Sequence, residues 1–216
     1  MIRDRRWMTK ILTILEDYFG KINWRKQDPF KLLIGTILSQ HTSDKNSHRA
    51  FRKLEEEAQV TPKVLARMGI ANITHLIKSA GLANIKARRI DAVSKVVLNR
   101  FGGDLSQVLA LPLEEARRIL ISFPGVGEKT ADVVLTFSGH RSVIPVDTHL
   151  FTIAKRLSIV TSHKYSDVRA AYELLIISGK RNQAHLLLIQ LGKKICLARN
   201  PRCYICPISR LCPKQI

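Results

Sequence analysis

A lysine follows a rigid turn in the stretch FPGVGEKTADVV, residues 123 to 134. The turn residues Gly125, Val126 and Gly127 include two glycines, whose backbone freedom lets consecutive amide N–H groups point outward and bind a phosphate. Lys129 comes two residues later, near the positive end of a predicted helix. With partial burial, such an amine loses its proton more readily, which makes Lys129 a candidate nucleophile toward a sugar carbon. The alternatives are an ordinary turn between helices and a solvated lysine.

A carboxylate follows in the segment IPVDTH, residues 144 to 149. Asp147 is expected to cap the helix that begins near Thr148, because its carboxylate can accept N–H groups of the first turn. Beside a lysine nucleophile, the same carboxylate could accept the amine's proton and stabilise positive charge on a sugar ring as its base leaves. His149 is a candidate packing or phosphate-contact residue rather than a catalyst.

All four cysteines lie in a short segment near the C-terminus, in the pattern C-x6-C-x2-C-x5-C. They are Cys196, Cys203, Cys206 and Cys212. Thiols confined in this way in an intracellular protein indicate a metal site rather than disulfides. Zinc accepts four thiolates but usually takes them from two short Cys-x-x-Cys knuckles, whereas an iron-sulfur cluster bridges longer, uneven intervals. Arg199 and Arg202 lie in the first loop, where they contact a phosphate strand or are solvated.

The charge of the chain points to a polyanionic partner. Lys and Arg number 36 against 17 Asp and Glu, which gives a formal net charge of +19. The 43 residues after Glu173 contain eight Lys or Arg and no acid, so the excess is concentrated, and nucleic acid fits it better than a membrane surface. A generically basic surface is the alternative. With no long apolar run and no secretory signal, we expect an intracellular protein, cytoplasmic or nucleoid-associated, without a membrane partner.

Helical periodicity dominates the elements that must position these groups. Apolar residues recur at spacings of three and four, as in Phe30, Leu33, Ile34 and Ile37, and each such face should be buried. No segment alternates long enough to require a strand, and glycines and prolines cut the chain into roughly ten helices. The sequence therefore predicts an all-α fold, either one large domain or two small domains that share a groove.

Three motifs in this order, PGVG-x-KTA, VDTH and the cysteine pattern, resemble the endonuclease III branch of the helix-hairpin-helix DNA glycosylases. The resemblance begins at DPFKLLIGTILSQ and covers nearly the whole chain. It implies a six-helix barrel domain at residues 23–140 and a discontinuous cluster domain at residues 1–22 and 141–216, with a DNA groove between them. It also implies a [4Fe-4S] cluster rather than zinc, and a monomer that binds double-stranded DNA with damaged bases or abasic sites.

The resemblance also assigns roles to residues. Lys129 matches the family's Schiff-base lysine and Asp147 its catalytic aspartate, which implies a bifunctional DNA glycosylase and abasic-site lyase. Leu82, in AGLANIKA, matches the wedge that enters the base stack. The chain departs from the pattern at SQHTSD, where His41 occupies the usual glutamine position and Gln40 precedes it, so that either could contact the base opposite the lesion.

The expected activity is removal of oxidised or otherwise damaged pyrimidines, followed by β-elimination at the abasic site. One alternative is a glycosylase of the same fold that acts on mismatched uracil or thymine. A second alternative is a DNA-binding redox sensor without enzymatic activity, for which Lys129 and Asp147 would be dispensable.

Overall fold

The computed structural model describes residues 3–214, and this part of the chain contains helices and no strand. It has twelve α-helices and three short 3-10 helices, slightly more than the roughly ten helices predicted. The all-α prediction is confirmed. The segment around Pro145 has no regular secondary structure, as its sequence indicated.

The chain divides into two compact units, which are described separately. The central unit runs from Lys26 to Arg141, and the terminal unit contains the described residues up to Arg25 and from Ser142 onward. The central unit therefore begins three residues later and ends one residue later than the barrel domain expected at residues 23–140.

Eight α-helices form the central unit. They are α2 (Pro29–Ser39), α3 (Asp44–Glu57), α4 (Pro62–Met68), α5 (Ile70–Leu76), α6 (Ala83–Phe101), α7 (Ser106–Ala110), α8 (Leu113–Ile121) and α9 (Glu128–Phe137). Gly69 separates α4 from α5, and Leu111 and Pro112 separate α7 from α8. Counting each of these pairs as one segment gives the six helical segments that the resemblance implied.

Local signals start the helices of the central unit. The Asp28 carboxylate accepts the Lys31 N–H at 2.8 Å and Pro29 occupies the first turn of α2, where its missing N–H costs nothing. The apolar face of α2 then lies in the core of this unit, as its periodicity predicted. Its buried members include Phe30, Leu33, Ile34, Ile37 and Leu38.

The terminal unit has four α-helices and the cysteine segment. The helices are α1 (Arg5–Phe19), α10 (Thr148–Arg156), α11 (Tyr165–Leu175) and α12 (Arg181–Lys194). Gly192 on α12 allows close approach to α10, since a Cβ at this position would lie 2.6 Å from the Cβ of His149. None of the helices in residues 3–214 has the length and apolar character needed to span a bilayer.

Candidate functional site

The turn between α8 and α9 requires a glycine at its second position. Gly125 has φ +77°, in the left-handed region that side chains with a Cβ rarely adopt. A Cβ at Gly125 would also lie 2.3 Å from the Cδ of Arg89, so the arginine stem fills that space. Val126 is buried below the turn, whereas Gly127 is exposed and has no atom within 4 Å of a built Cβ. The backbone at Gly127 is therefore open to a partner.

Lys129 is the second residue of α9, which begins at Glu128 as the sequence predicted. Gly127, at the N-cap, contributes no side-chain hydrogen bond, so the cap leaves the amides of the first turn to other partners. Lys129 is half-buried, and the residues that follow it, from Thr130 to Ser138, are buried. The expected placement of an amine at the positive end of a helix, with partial burial, is confirmed.

Gln40 is bound to the hairpin in this structure. Its Nε2 donates to the carbonyl oxygen of Gly125 at 3.1 Å and lies 3.4 Å from the Oγ1 of Thr130. Its Oε1 accepts a hydrogen bond from Nη1 of Arg89 at 2.8 Å. Gln40 thus connects the end of α2, the hairpin turn and α6. No signal in the sequence indicated Arg89, although its neighbourhood KARRI begins four residues after the predicted wedge Leu82.

His41 and Leu82 each occupy an exposed turn with left-handed backbone. His41 has φ +51° and Leu82 has φ +49°, a conformation that costs energy for any residue with a Cβ. Leu82 is 53% exposed, unlike the many leucines of the core. Leu82 is therefore not a core residue. The DNA contacts of Gln40, His41 and Leu82 stay predictions.

Asp147 caps α10, as its sequence predicted. Its Oδ1 accepts the Leu150 N–H at 2.9 Å, and the Leu150 carbonyl in turn accepts the hydroxyl of buried Tyr172 at 2.8 Å. Burial raises the pKa of Tyr172 well above its usual value, and the nearby charges of Asp147 and Cys196 raise it further. Asp147 remains half-buried, so part of this residue faces solvent.

The other motif residues of the terminal unit fall into two groups. His149 packs against Gly192 and is half-buried, which agrees with the packing role expected of it. Arg199 and Arg202 are exposed in the loop after Cys196, where the Arg202 N–H donates to the Ile195 carbonyl at 2.9 Å. Their phosphate contacts stay predictions, as does any contact of the turn residues Gly125, Val126 and Gly127 with DNA.

The four cysteine thiols line a single cavity in the terminal unit. Its walls are mostly apolar, with Ile153, Leu157, Leu191 and Ile195 among them, and Arg156 also reaches it. Arg156 is buried and its Nη1 lies 3.2 Å from the Sγ of Cys196. Within residues 3–214, no group of three or more His, Cys, Asp or Glu side chains is arranged to hold a metal ion.

The chemistry of these thiols fits a cationic metal centre. Burial raises the pKa of Cys206 and of Cys212, and the charges of the neighbouring thiolates raise both pKa values further. Loss of protons from these thiols inside one apolar cavity is therefore disfavoured, and a bound cationic metal centre would stabilise their thiolate forms. Hydrogen bonds from Arg156 to the carbonyl oxygens of Cys196, Leu197 and Ala198 fix the backbone that leads out of this cavity.

Comparison with known proteins identifies the family. The model of the HhH-GPD superfamily base excision DNA repair protein matches residues 34–176. Endonuclease III of Thermotoga maritima is 33% identical over 190 residues, which make up 88% of this chain and 85% of that protein. A solved structure of a trapped endonuclease III–DNA covalent intermediate matches with a TM-score of 0.84 and 26% identity, over 98% of this chain and 96% of that chain.

A thermostable thymine-DNA glycosylase also matches, with a TM-score of 0.79 and 21% identity over 96% of this chain and 95% of that chain, which shows a shared fold. The similarity to endonuclease III covers 88% of this chain, well beyond the hairpin and the cysteine motif. The chain therefore belongs to the HhH-GPD superfamily of base excision DNA repair proteins and, within it, to the endonuclease III family of DNA glycosylases with abasic-site lyase activity.

Proposed function

We propose that this DNA glycosylase and abasic-site lyase removes damaged pyrimidines from duplex DNA, with Lys129 as nucleophile. The observation that carries the proposal is the half-buried Lys129 in the first turn of α9, directly behind the open backbone of Gly127. The similar endonuclease III–DNA covalent intermediate supports a covalent step between protein and DNA. The net charge of +19 supports a polyanionic substrate.

Phosphate binding by the hairpin is the first part of the proposal. Amides at the start of α9 and in the turn would hold one strand through its phosphates, whatever the base sequence. Gly125 keeps that turn in its left-handed conformation, and Arg89 and Gln40 hold it from below. Exposed Arg199 and Arg202 of the terminal unit would add phosphate contacts that position the strand without reading its sequence.

The chemistry begins with the side-chain amine of Lys129. Its Nζ attacks C1′ of the damaged nucleotide, the bond from C1′ to the base breaks, and its electron pair leaves with the base. The carboxylate of Asp147 takes a proton from the attacking amine and stabilises positive charge on the sugar. Asp147 then gives this proton to the ring oxygen as its bond to C1′ breaks, and the opened sugar is left joined to Lys129 through an imine at C1′.

Strand cleavage follows from the imine. Transfer of a proton from C2′ to water drives β-elimination, in which the bond between C3′ and its phosphate oxygen breaks and the phosphate leaves with the electron pair of that bond. Water then hydrolyses the conjugated imine and returns Lys129 as a free amine. Asp147 is suited to proton transfer because the hydrogen bond from the Leu150 N–H fixes its position at the start of α10.

We also propose that Cys196, Cys203, Cys206 and Cys212 hold a [4Fe-4S] cluster as four thiolates. The uneven cysteine spacing and the apolar cavity that all four thiols line support this assignment over a zinc ion. When bound, the cluster would supply a rigid structural centre for the loop that carries Arg199 and Arg202. Iron and sulfide at four atoms each per chain, with broad visible absorbance, would agree with the proposal. A colourless protein with stoichiometric zinc would contradict it.

Borohydride trapping tests the nucleophile. Incubation with a duplex that contains one abasic site should give a covalent protein–DNA adduct, and the Lys129→Gln variant should give none. Lys63→Gln is a matched control, because Lys63 is likewise the second residue of a helix, α4, and is exposed. An adduct that persists in Lys129→Gln would refute the assigned nucleophile.

A lesion panel tests the substrate class. Duplexes with thymine glycol or dihydrouracil should be cut at the damaged base, whereas duplexes with G·U and G·T mispairs should be cut far more slowly. The opposite order would identify a mismatch glycosylase, and tight binding without any cleavage would favour the DNA-binding redox sensor.

A further inference from the structure

A lysine that sequence analysis did not single out is buried in the central unit. Lys86, in the first turn of α6, is 1% exposed. It shares the buried face of α6 with Ile90 and Val93, which lie four and seven residues further along the helix. Lysine is rarely buried unless its ammonium has partners, so this position calls for a specific role.

Two main-chain carbonyl groups are the hydrogen-bond partners of the Lys86 ammonium among the residues that the structure describes. Its Nζ donates to the carbonyl oxygen of Leu38 and to that of Ala80, each at 2.8 Å. Leu38 lies in the last turn of α2, and Ala80 ends the short 3-10 helix Lys78–Ala80. Carbonyls at the ends of helices lack partners within the helix and carry partial negative charge, so an ammonium satisfies both needs.

The two carbonyls lie immediately before two exposed turns. Two residues after Leu38 the chain reaches Gln40, followed by His41 with φ +51°. Two residues after Ala80 it reaches Leu82 with φ +49°, which is 53% exposed. Strained turns of this kind persist only where the surrounding structure holds them. The Lys86 ammonium directly links the two backbone carbonyls that precede these turns.

The electrostatic environment agrees with a structural bridge. Burial lowers the pKa of Lys86, and the charge of Arg89 lowers it further. Arg89 lies one turn along α6 and donates to the side chain of Gln40 at 2.8 Å. Lys86 and Arg89 thus both hold the C-terminal end of α2, Lys86 through the main-chain carbonyl of Leu38 and Arg89 through the side chain of Gln40.

We propose that Lys86 is a positioning residue that fixes the separation of the Gln40–His41 turn and the Gly81–Leu82 turn, so that both can enter the DNA duplex together. This inference rests on the proposed function, in which the two turns contact DNA. Two inserted groups can replace an extruded nucleotide only if their spacing matches the gap in the stack. Lys86 therefore acts on base extrusion, before Lys129 reacts.

The proposal predicts unequal effects on two activities of one enzyme. Excision from an intact duplex requires the damaged base to leave the stack, whereas an abasic site has no base to extrude. Lys86→Met, which keeps the aliphatic stem, should slow single-turnover excision of thymine glycol by about tenfold to a hundredfold, the range for loss of hydrogen bonds from a charged donor. Nicking of a preformed abasic site should change by less than about threefold, within the usual effect of a substitution outside the chemistry.

A second readout follows the DNA directly. The Lys129→Gln variant blocks the chemistry. When this variant binds a duplex with 2-aminopurine beside the lesion, the 2-aminopurine fluorescence should increase as the base stack opens. Adding Lys86→Met should reduce that increase. Lys63→Met is the matched control, because Lys63 is also a helical lysine of the central unit but is exposed. It should leave excision, nicking and fluorescence unchanged.

Lys86→Gln provides a second variant with a donor but no charge. It should recover part of the excision rate lost in Lys86→Met. Equal losses of excision and nicking in folded Lys86→Met, or no loss of either, would overturn the proposal. It would also be overturned if both variants fail to fold, since Lys86 would then be required for the fold itself. Absence of excision and nicking in the unmodified protein would instead refute the proposed function.

Discussion

The buried ion pair between α8 and α9 gives the most direct test of how the hairpin is held. Nε of Arg117 lies 2.9 Å from Oδ1 of Asp132, and the two side chains are 7% and 0% exposed. Arg117 also pairs with Glu114, which is 75% exposed on its own helix. Burial by itself lowers the pKa of Arg117, but the carboxylates of Glu114 and Asp132 more than offset this effect and the pKa is raised.

Removal of Arg117 and removal of Asp132 should therefore lower the free energy of unfolding by different amounts. Arg117→Met leaves the fully buried carboxylate of Asp132 without its guanidinium, which should cost about 3–5 kcal/mol. Asp132→Asn leaves Arg117 with the solvated carboxylate of Glu114, so the cost should be smaller, about 1–3 kcal/mol. The double variant should be more stable than the sum of the two losses predicts, because it buries no unpaired charge.

Amide hydrogen exchange measures the loss of stability in α8 and α9, the two helices that carry the ion pair. Opening free energies of α8 and α9 should fall in the order wild type, Asp132→Asn, Arg117→Met, while peptides of the terminal unit remain unchanged. Lys31→Met is a control, because the Lys31–Glu55 pair is 46% and 39% exposed and should contribute no more than about 1 kcal/mol. A loss below about 1 kcal/mol in Arg117→Met would refute the reasoning, since the pair would then behave like a surface pair.

Three further predictions concern the turn, the capping aspartate and a buried tyrosine. Gly125→Ala should destabilise the hairpin by more than about 1–2 kcal/mol, because the cost of a left-handed residue with a Cβ adds to the displacement of the Arg89 stem, and it should weaken binding to undamaged and damaged duplexes alike in a fluorescence anisotropy titration. Asp147→Asn should keep the melting temperature within a few degrees, because Asn caps helices as well as Asp does. The same variant should lower the excision rate by about a hundredfold. An unchanged excision rate would show that Asp147 is only a helix cap. Since the folded-state pKa of Tyr172 is raised, its stabilising contribution is complete below the usual tyrosine pKa of about 10 and is lost as the pH rises above it. Absorbance at alkaline pH should therefore show Tyr172 ionising only on cooperative unfolding, and its ionisation in folded protein would contradict this account.

Features set by local sequence were predictable. The start of α9 at Glu128 and the cap at Asp147 both follow from interactions between residues a few positions apart. The assignment of Lys129 and Asp147 to one reaction came instead from the resemblance to a family.

Features set by distant contacts were not predictable in the same way. The sequence left Gln40 and His41 as equal candidates, and the carbonyl that binds Gln40 lies 85 positions away at Gly125. The sequence did not indicate a buried Lys86 because a lysine is expected at the surface, although its spacing from Ile90 and Val93 places it on the apolar face of α6. Burial of a charge depends on partners that periodicity does not identify.

The contact between Arg89 and Gly125 also constrains how this protein can evolve. The stem of Arg89 occupies the volume that a Cβ at position 125 would need, while its guanidinium binds Gln40. A replacement at any one of the three positions alters the fitness cost of a replacement at the other two. Viable lineages should therefore exchange these residues as a correlated set, with Arg89 shortening before position 125 can gain a side chain.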